Sequence, residues 1–146
     1  MKKQDKKSKD FRRVDFDYFV TIPARWKDLD GLRHGHAVFL TYIESARLKY
    51  LEHLGFAMNR WDSEKSTILA ALQVDYINQA GYPNDFEIGN RIIRVGYTSF
   101  DQFAAIFRKD LEEPLVVGRF TLVTFNYTTQ KTLSVPAMIR SVLRPL

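Results

Sequence analysis

Asp28-Leu29-Asp30-Gly31-Leu32-Arg33-His34-Gly35-His36 runs straight into Ala37-Val38-Phe39-Leu40-Thr41-Tyr42-Ile43-Glu44-Ser45-Ala46-Arg47-Leu48-Lys49-Tyr50-Leu51-Glu52-His53-Leu54, and Gly55 follows. Phe39, Ile43, Ala46, Tyr50 and Leu54 recur at helical spacing; Val38, Leu40, Tyr42 and Leu51 widen that stripe. Glu44, Ser45, Lys49, Glu52 and His53 take the remaining side. So broad a stripe predicts a helix over 37–54 covered on more than one side, as when a sheet wraps around it. Gly55 predicts the stop, through a left-handed position after the last turn. The segment before the helix gathers carboxylates, two imidazoles and two glycines at a helix entrance, where free N–H groups and the macrodipole favour developing negative charge.

On both sides of the helix the hydrophobic period changes to two. Phe16, Tyr18, Val20, Ile22, Ala24 and Trp26 alternate with Asp15, Asp17, Thr21 and Arg25, the pattern of a half-buried strand. Pro23 cannot donate to a ladder, which puts this strand at an edge or bulges it near its end. After residue 65, Ile68, Ala70, Leu72, Val74 and Tyr76 alternate in the same way. A turn-rich Gly81-Tyr82-Pro83-Asn84-Asp85 follows, then strands near 86–95, 99–108 and 115–127 joined by short turns. Short connections favour antiparallel neighbours. A last helix is expected from Pro136 to Leu143. One strand, one long helix and four strands make an α+β chain, with one helix against one antiparallel sheet.

The charge is unevenly placed. Residues 1–13 hold seven Lys or Arg against two Asp, which accounts for the whole formal charge of +5 and leaves residues 14–146 neutral. A basic tail on a neutral body argues only weakly for a nucleic-acid partner, since binding usually needs a folded basic face, and none is expected; residues 1–13 read as a disordered solvating tail and 14–146 as a single domain. No apolar segment after the lysines marks a secretory signal, and the longest apolar run, Ile68 to Leu72, is too short to span a membrane. With no cysteine the chain has no disulfide, thiolate nucleophile or thiolate metal site. A cytoplasmic enzyme or binding domain is the expectation.

Arg25 to His34, continuing through Ala37 to Arg47, resembles the signature of hotdog-fold acyl-CoA thioesterases of the 4-hydroxybenzoyl-CoA thioesterase type. The resemblance continues in Leu72-Gln73-Val74-Asp75-Tyr76-Ile77, in Gly81 to Phe86 and in Arg94-Val95-Gly96-Tyr97-Thr98-Ser99-Phe100, so it covers residues 16–127. It implies a hotdog fold, a five- or six-stranded antiparallel sheet wrapped around one long central helix. It also implies edge-to-edge dimers, in many members tetramers, with active sites at the subunit interface. In the family pattern the second Asp of the Asp-x-Asp pair is the catalytic carboxylate, here Asp30, with Asp28 a supporting group. His34 matches a histidine common beside the catalytic loop. For coenzyme A, Ser99 matches a Ser that neighbouring basic residues precede in one branch of the family, whereas this chain has Gly96-Tyr97-Thr98 there; Thr98 and Ser99 with Arg94 and Arg91 are the candidates left on that hairpin, with Arg119 or Arg108 from nearby strands. The chain departs from the pattern at His36, where Asn is usual, and at Arg33, where Gly is usual; the loop between Asp30 and Glu44 is also one residue shorter.

Thioester hydrolysis needs a nucleophile or a base to activate water, and donors for the tetrahedral oxyanion. Without cysteine or a Gly-x-Ser-x-Gly elbow, Asp30 is the candidate, as nucleophile or as general base. An Asp before Gly is also ordinary turn chemistry; the surrounding motif favours catalysis. Backbone N–H groups near His36 and Ala37 are the candidate oxyanion donors. Phe39 and Tyr42 are candidate walls of the acyl pocket, a role that core packing would explain equally well. Metal binding is disfavoured, because His53 is a full helix away from His34 and His36; no cofactor is expected. Glu44 reads as a structural partner to Arg47 and not as a base. The expected activity is hydrolysis of an acyl-CoA or acyl-carrier-protein thioester. The competing classes are a non-catalytic hotdog module binding acyl-CoA or a protein partner, and a hydratase or dehydratase, which lacks its His-rich motif here.

Overall fold

The computed structural model describes residues 6–23, 29–30, 33–34, 36–56, 64–78 and 85–146, with side chains left out at 29–30, 33–34 and 36–37. Its elements are β1 (Tyr18–Pro23), β2 (Leu29–Asp30), β3 (Arg33–His34), α1 (His36–His53), β4 (Ser66–Tyr76), β5 (Asp85–Val95), β6 (Ser99–Arg108), β7 (Pro114–Asn126), β8 (Lys131–Thr132) and α2 (Ala137–Ser141), preceded by short 3-10 turns at Ser8–Asp10 and Arg13–Asp15. The main sheet has the order β1-β5-β6-β7-β4, with β8 on the end of β7, and every pairing is antiparallel. As expected, β1 lies at an edge with Pro23 as its last residue, and Gly55 takes φ 84° just beyond α1. The last helix is shorter than the sequence pattern suggested, with Pro136 standing just before it.

One face of the sheet wraps α1, which lies mainly over β1, β5 and β6. Alternation dictates the contacts. Phe86, Ile88, Ala104, Ile106, Val116 and Phe120 meet Phe39, Tyr42, Ile43 and Ala46 from the first half of the helix. Ile92, Phe100 and Leu122 meet Tyr50, Leu51 and Leu54 from the second, with Val135 and Ile139 closing that end. Burial of these chains, at roughly 1.5–3 kcal/mol each, holds helix and sheet together.

The other face of the sheet corrects the reading of residues 1–13 as a solvated tail, for the part of it that is described. Phe11 is buried with Phe16 against Ile93, Phe103, Ala105, Phe107 and Val117. Phe11 meets Phe103 edge-on at 4.8 Å and Phe16 stacks on Phe103 at 5.3 Å. The segment around them is held by polar contacts: Arg13 donates to the carbonyls of Leu111 and Arg108, and the Ser8 hydroxyl to the Asp75 carboxylate. Buried Arg91 donates to the carbonyls of Asp15, Arg144 and Pro145, so both ends of the chain are tied to the outer face. Seven cations in thirteen residues masked one aromatic anchor. The strand also starts at Tyr18 and not at Phe16, because the turn at Arg13–Asp15 sends Phe16 to the opposite face from Tyr18.

Gly89 admits this crossing, since a Cβ there would lie 2.7 Å from Phe16 Cβ. Removing a buried aromatic typically costs 3–5 kcal/mol. Phe16→Ala is therefore expected to lower unfolding free energy by about 3 kcal/mol in a denaturant titration, whereas Val14→Ala, at an exposed site, stays within about 0.5 kcal/mol.

Candidate active site

β2 and β3 form a two-stranded hairpin, with Leu29 opposite His34 and Asp30 opposite Arg33, and α1 begins at His36. Asp30 thus sits in a tight hairpin that feeds a helix N-terminus, whose first N–H groups have no intrahelical acceptor. The side chains of Asp30, His34, His36 and Ala37 lie outside the described residues, as do Asp28, Gly31 and Gly35 entirely. Just inside the helix, Phe39 and Tyr42 are buried against Phe86, with ring centroids 5.8 and 5.7 Å away. Arg47, further along α1, is buried with its guanidinium 5.9 Å over the Phe120 ring. Burial lowers its pKa, and the charge of Glu44 opposes that shift.

Arg94, Thr98 and Ser99 come together at the turn between β5 and β6. A register shift between Ile92 and Arg94 sets Arg94 opposite Asp101. Arg94 NH2 donates to Ser99 Oγ and to Asp101 Oδ1, each at 3.0 Å. The Thr98 carbonyl accepts the Thr124 N–H at 2.9 Å, which pins the turn to β7. Asp101 itself escaped the sequence reading. It is buried and also accepts from Arg119 Nε and Thr121 Oγ1, both at 2.9 Å. Burial opposes its ionisation; hydrogen bonds from Arg94, Thr121 and Arg119 outweigh that and hold the carboxyl below its usual range. The signal for it lay in register: Asp101 stands opposite both Arg94 and Thr121 across its two neighbouring strands.

Within one chain these two groups lie at opposite ends. The core clusters place the start of α1 beside Phe86 and Val116, and its end beside Ile92, Phe100 and the β5–β6 turn. An 18-residue helix spans roughly 27 Å. Among the described residues β4 pairs only with β7, leaving its other edge open. Leu69, Leu72 and Tyr76 on that strand are 42, 49 and 38% exposed. Leu69 and Leu72 stand opposite Leu122 and Phe120, hence on the face that carries α1. Among the described residues no group of three or more His, Asp or Glu side chains could hold a metal ion. No helix there is long and apolar enough to cross a membrane.

A curled antiparallel sheet wrapped around one long helix, with a loop of acid and histidine leading into that helix, is the hotdog fold of the thioesterase class. The family model described as the thioesterase-like superfamily matches residues 24–143, and the chain belongs to that superfamily as a thioesterase. Among solved structures, the PA5185 protein of Pseudomonas aeruginosa is 23% identical with a TM-score of 0.82, covering 91% of this chain and 93% of that one. A Thermus thermophilus thioesterase complexed with coenzyme A and Zn is 25% identical, TM-score 0.72, covering 88% and 98%. A 1,4-dihydroxy-2-naphthoyl-CoA thioesterase from Synechocystis is 13% identical, TM-score 0.75, covering 86% and 94%. No curated protein sequence matches the chain.

Proposed function

We propose that this protein hydrolyses acyl-CoA thioesters to a carboxylic acid and free coenzyme A in the cytoplasm, acting as a homodimer with its sites between subunits. The observation that carries the reading is the Asp30 hairpin delivered to the N-terminus of α1 within a thioesterase-superfamily chain. Asp30 attacks the thioester carbonyl or activates a water, and N–H groups at His36 and Ala37 receive the oxyanion. His34 orients the carboxylate or protonates the departing thiolate. Phe39 and Tyr42 bound the acyl group, while Arg94, Thr98 and Ser99 belong to the coenzyme A end.

The dimer follows from the open edge of β4. Antiparallel pairing of two β4 strands about a two-fold axis reverses the direction of the partner sheet. The partner's β5–β6 turn then comes level with the start of α1, which joins the halves of the site that one chain keeps apart. The coenzyme A bound to the Thermus thermophilus structural neighbour favours this substrate class.

The test is a thiol-release assay over short, long, branched and aromatic acyl-CoAs. Turnover of at least one class, with CoA released in step with acid, is expected. Tight acyl-CoA binding with no release by any member would instead identify a non-catalytic binding module.

A further inference from the structure

Three charged side chains are buried among the described residues, and two of them are hydrogen-bonded. Arg91 donates to the carbonyls of Asp15, Arg144 and Pro145, and Asp101 accepts from Arg94, Arg119 and Thr121. Arg47, only 6% exposed, has neither a hydrogen bond nor an ion pair among the described residues, and its Nε is shut off from solvent. A place over the Phe120 ring and the charge of exposed Glu44 are what offset its burial. A cation taken out of water without a hydrogen-bonded counter-charge is among the costliest arrangements a fold can hold.

Its position tells what completes it. α1 rests mainly on β1, β5 and β6, so the inner face of β7 and β4 extends beyond the helix. Arg47 leans to that side: Phe120, under its guanidinium, is a β7 residue paired with Leu72 of β4, and Leu72 is exposed. Phe120, Leu72 and half-buried Val74 thus floor an apolar trough beside α1, with Arg47 at its wall. Arg47 stands three turns after His36, roughly 16 Å along the axis, and helical side chains lean back toward the N-terminus.

We propose that Arg47 is a specificity-determining residue that receives a carboxylate at the far end of the acyl group, so that the preferred substrates are mono-CoA thioesters of dicarboxylic acids. This rests on the acyl-CoA reading above and names its substrate class. The Asp30 hairpin takes the thioester at one end of the trough. An extended chain advances about 1.2 Å per bond, so acyl groups of roughly eight to twelve carbons bring the second carboxylate to the guanidinium. The planar guanidinium offers that anion paired N–H groups and a counter-charge. A methyl end of the same length leaves the cation unmet, the situation that gives sites with buried polar groups their strongest discrimination.

The test compares each plain acyl-CoA with the ω-carboxy acyl-CoA of equal length. The wild type is expected to favour the ω-carboxy member by roughly 100-fold in kcat/KM. Arg47→Met, which fills similar space without charge, is expected to bring that ratio near one, while Arg47→Lys keeps part of it. The methionine variant is expected to fold, since an apolar replacement of a buried ion is often neutral or stabilising. An unchanged ratio in Arg47→Met overturns the proposal, as does a wild type that prefers the plain chain. Loss of the dimer in Arg47→Met with the ratio intact also overturns it and gives Arg47 to the partner subunit. If neither series is hydrolysed, the hydrolase reading falls by itself, and calorimetry with the same thioesters decides on Arg47. Binding of the ω-carboxy compound about 100-fold weaker in Arg47→Met then retains the proposal, and equal binding overturns it.

Discussion

Asp30→Asn is expected to lower thiol release from the best acyl-CoA substrate by roughly 10²–10⁴-fold, the range for loss of a positioned acid–base or nucleophilic group. Asparagine preserves the volume of aspartate and its capacity to accept a turn hydrogen bond, but not its charge. If Asp30 merely shaped the hairpin opposite Arg33, the substitution would be nearly silent in the assay. The chain has no cysteine to take over as nucleophile. Removing one oxyanion donor in other enzymes costs about 3–4 kcal/mol, so the helix entrance keeps some rate in the variant. Residual activity well above the uncatalysed reaction with unchanged KM is the expected signature, read alongside an unaltered thermal unfolding midpoint. Wild-type turnover by Asp30→Asn would move the chemistry away from this hairpin.

The fold was legible because two periodicities alternate cleanly. The broad stripe of α1 announced a helix enclosed by sheet, and the spacing of Gly96-Tyr97-Thr98 announced adjacent antiparallel strands; the structure has both. Phe11 and Phe16 were not legible in the same way. One is a lone aromatic among cations and the other extends the alternation of β1 one step too far, and their partners Phe103 and Phe107 are some ninety residues away. Composition averages over a window, whereas an anchor needs one side chain and a distant surface. The site divides along a similar line. A local motif singled out the Asp30 loop, but Asp101 takes its partners from the two neighbouring strands, and only register brings Arg94, Arg119 and Thr121 to it. Nor does a local pattern tell that the Asp30 hairpin and the β5–β6 turn sit at opposite ends of α1.

That separation makes the β4 edge the second place where a small change should have a large effect. β4 is 11 residues long, and among the described residues its second edge is unpaired, beside exposed Leu69 and Leu72. A long apolar edge is an aggregation hazard in a monomer, and a second copy of the same strand neutralises it while burying both leucines. The outer face of the sheet is already occupied by Phe11 and Phe16, which directs association to the edge and the α1 face. Leu69→Asp combined with Leu72→Asp places two charges from each subunit in that contact. At about 1 kcal/mol for each of the substituted residues, two from each subunit, the change weakens association by roughly 10³-fold. Light scattering at micromolar concentration is expected to show the wild type as a dimer and the double variant as a folded monomer. Thiol release should fall with the dimer fraction, and raising the protein concentration should recover both together. A wild-type chain that is fully active as a monomer would refute the shared site, because its own β5–β6 turn lies a helix length from its own Asp30 hairpin.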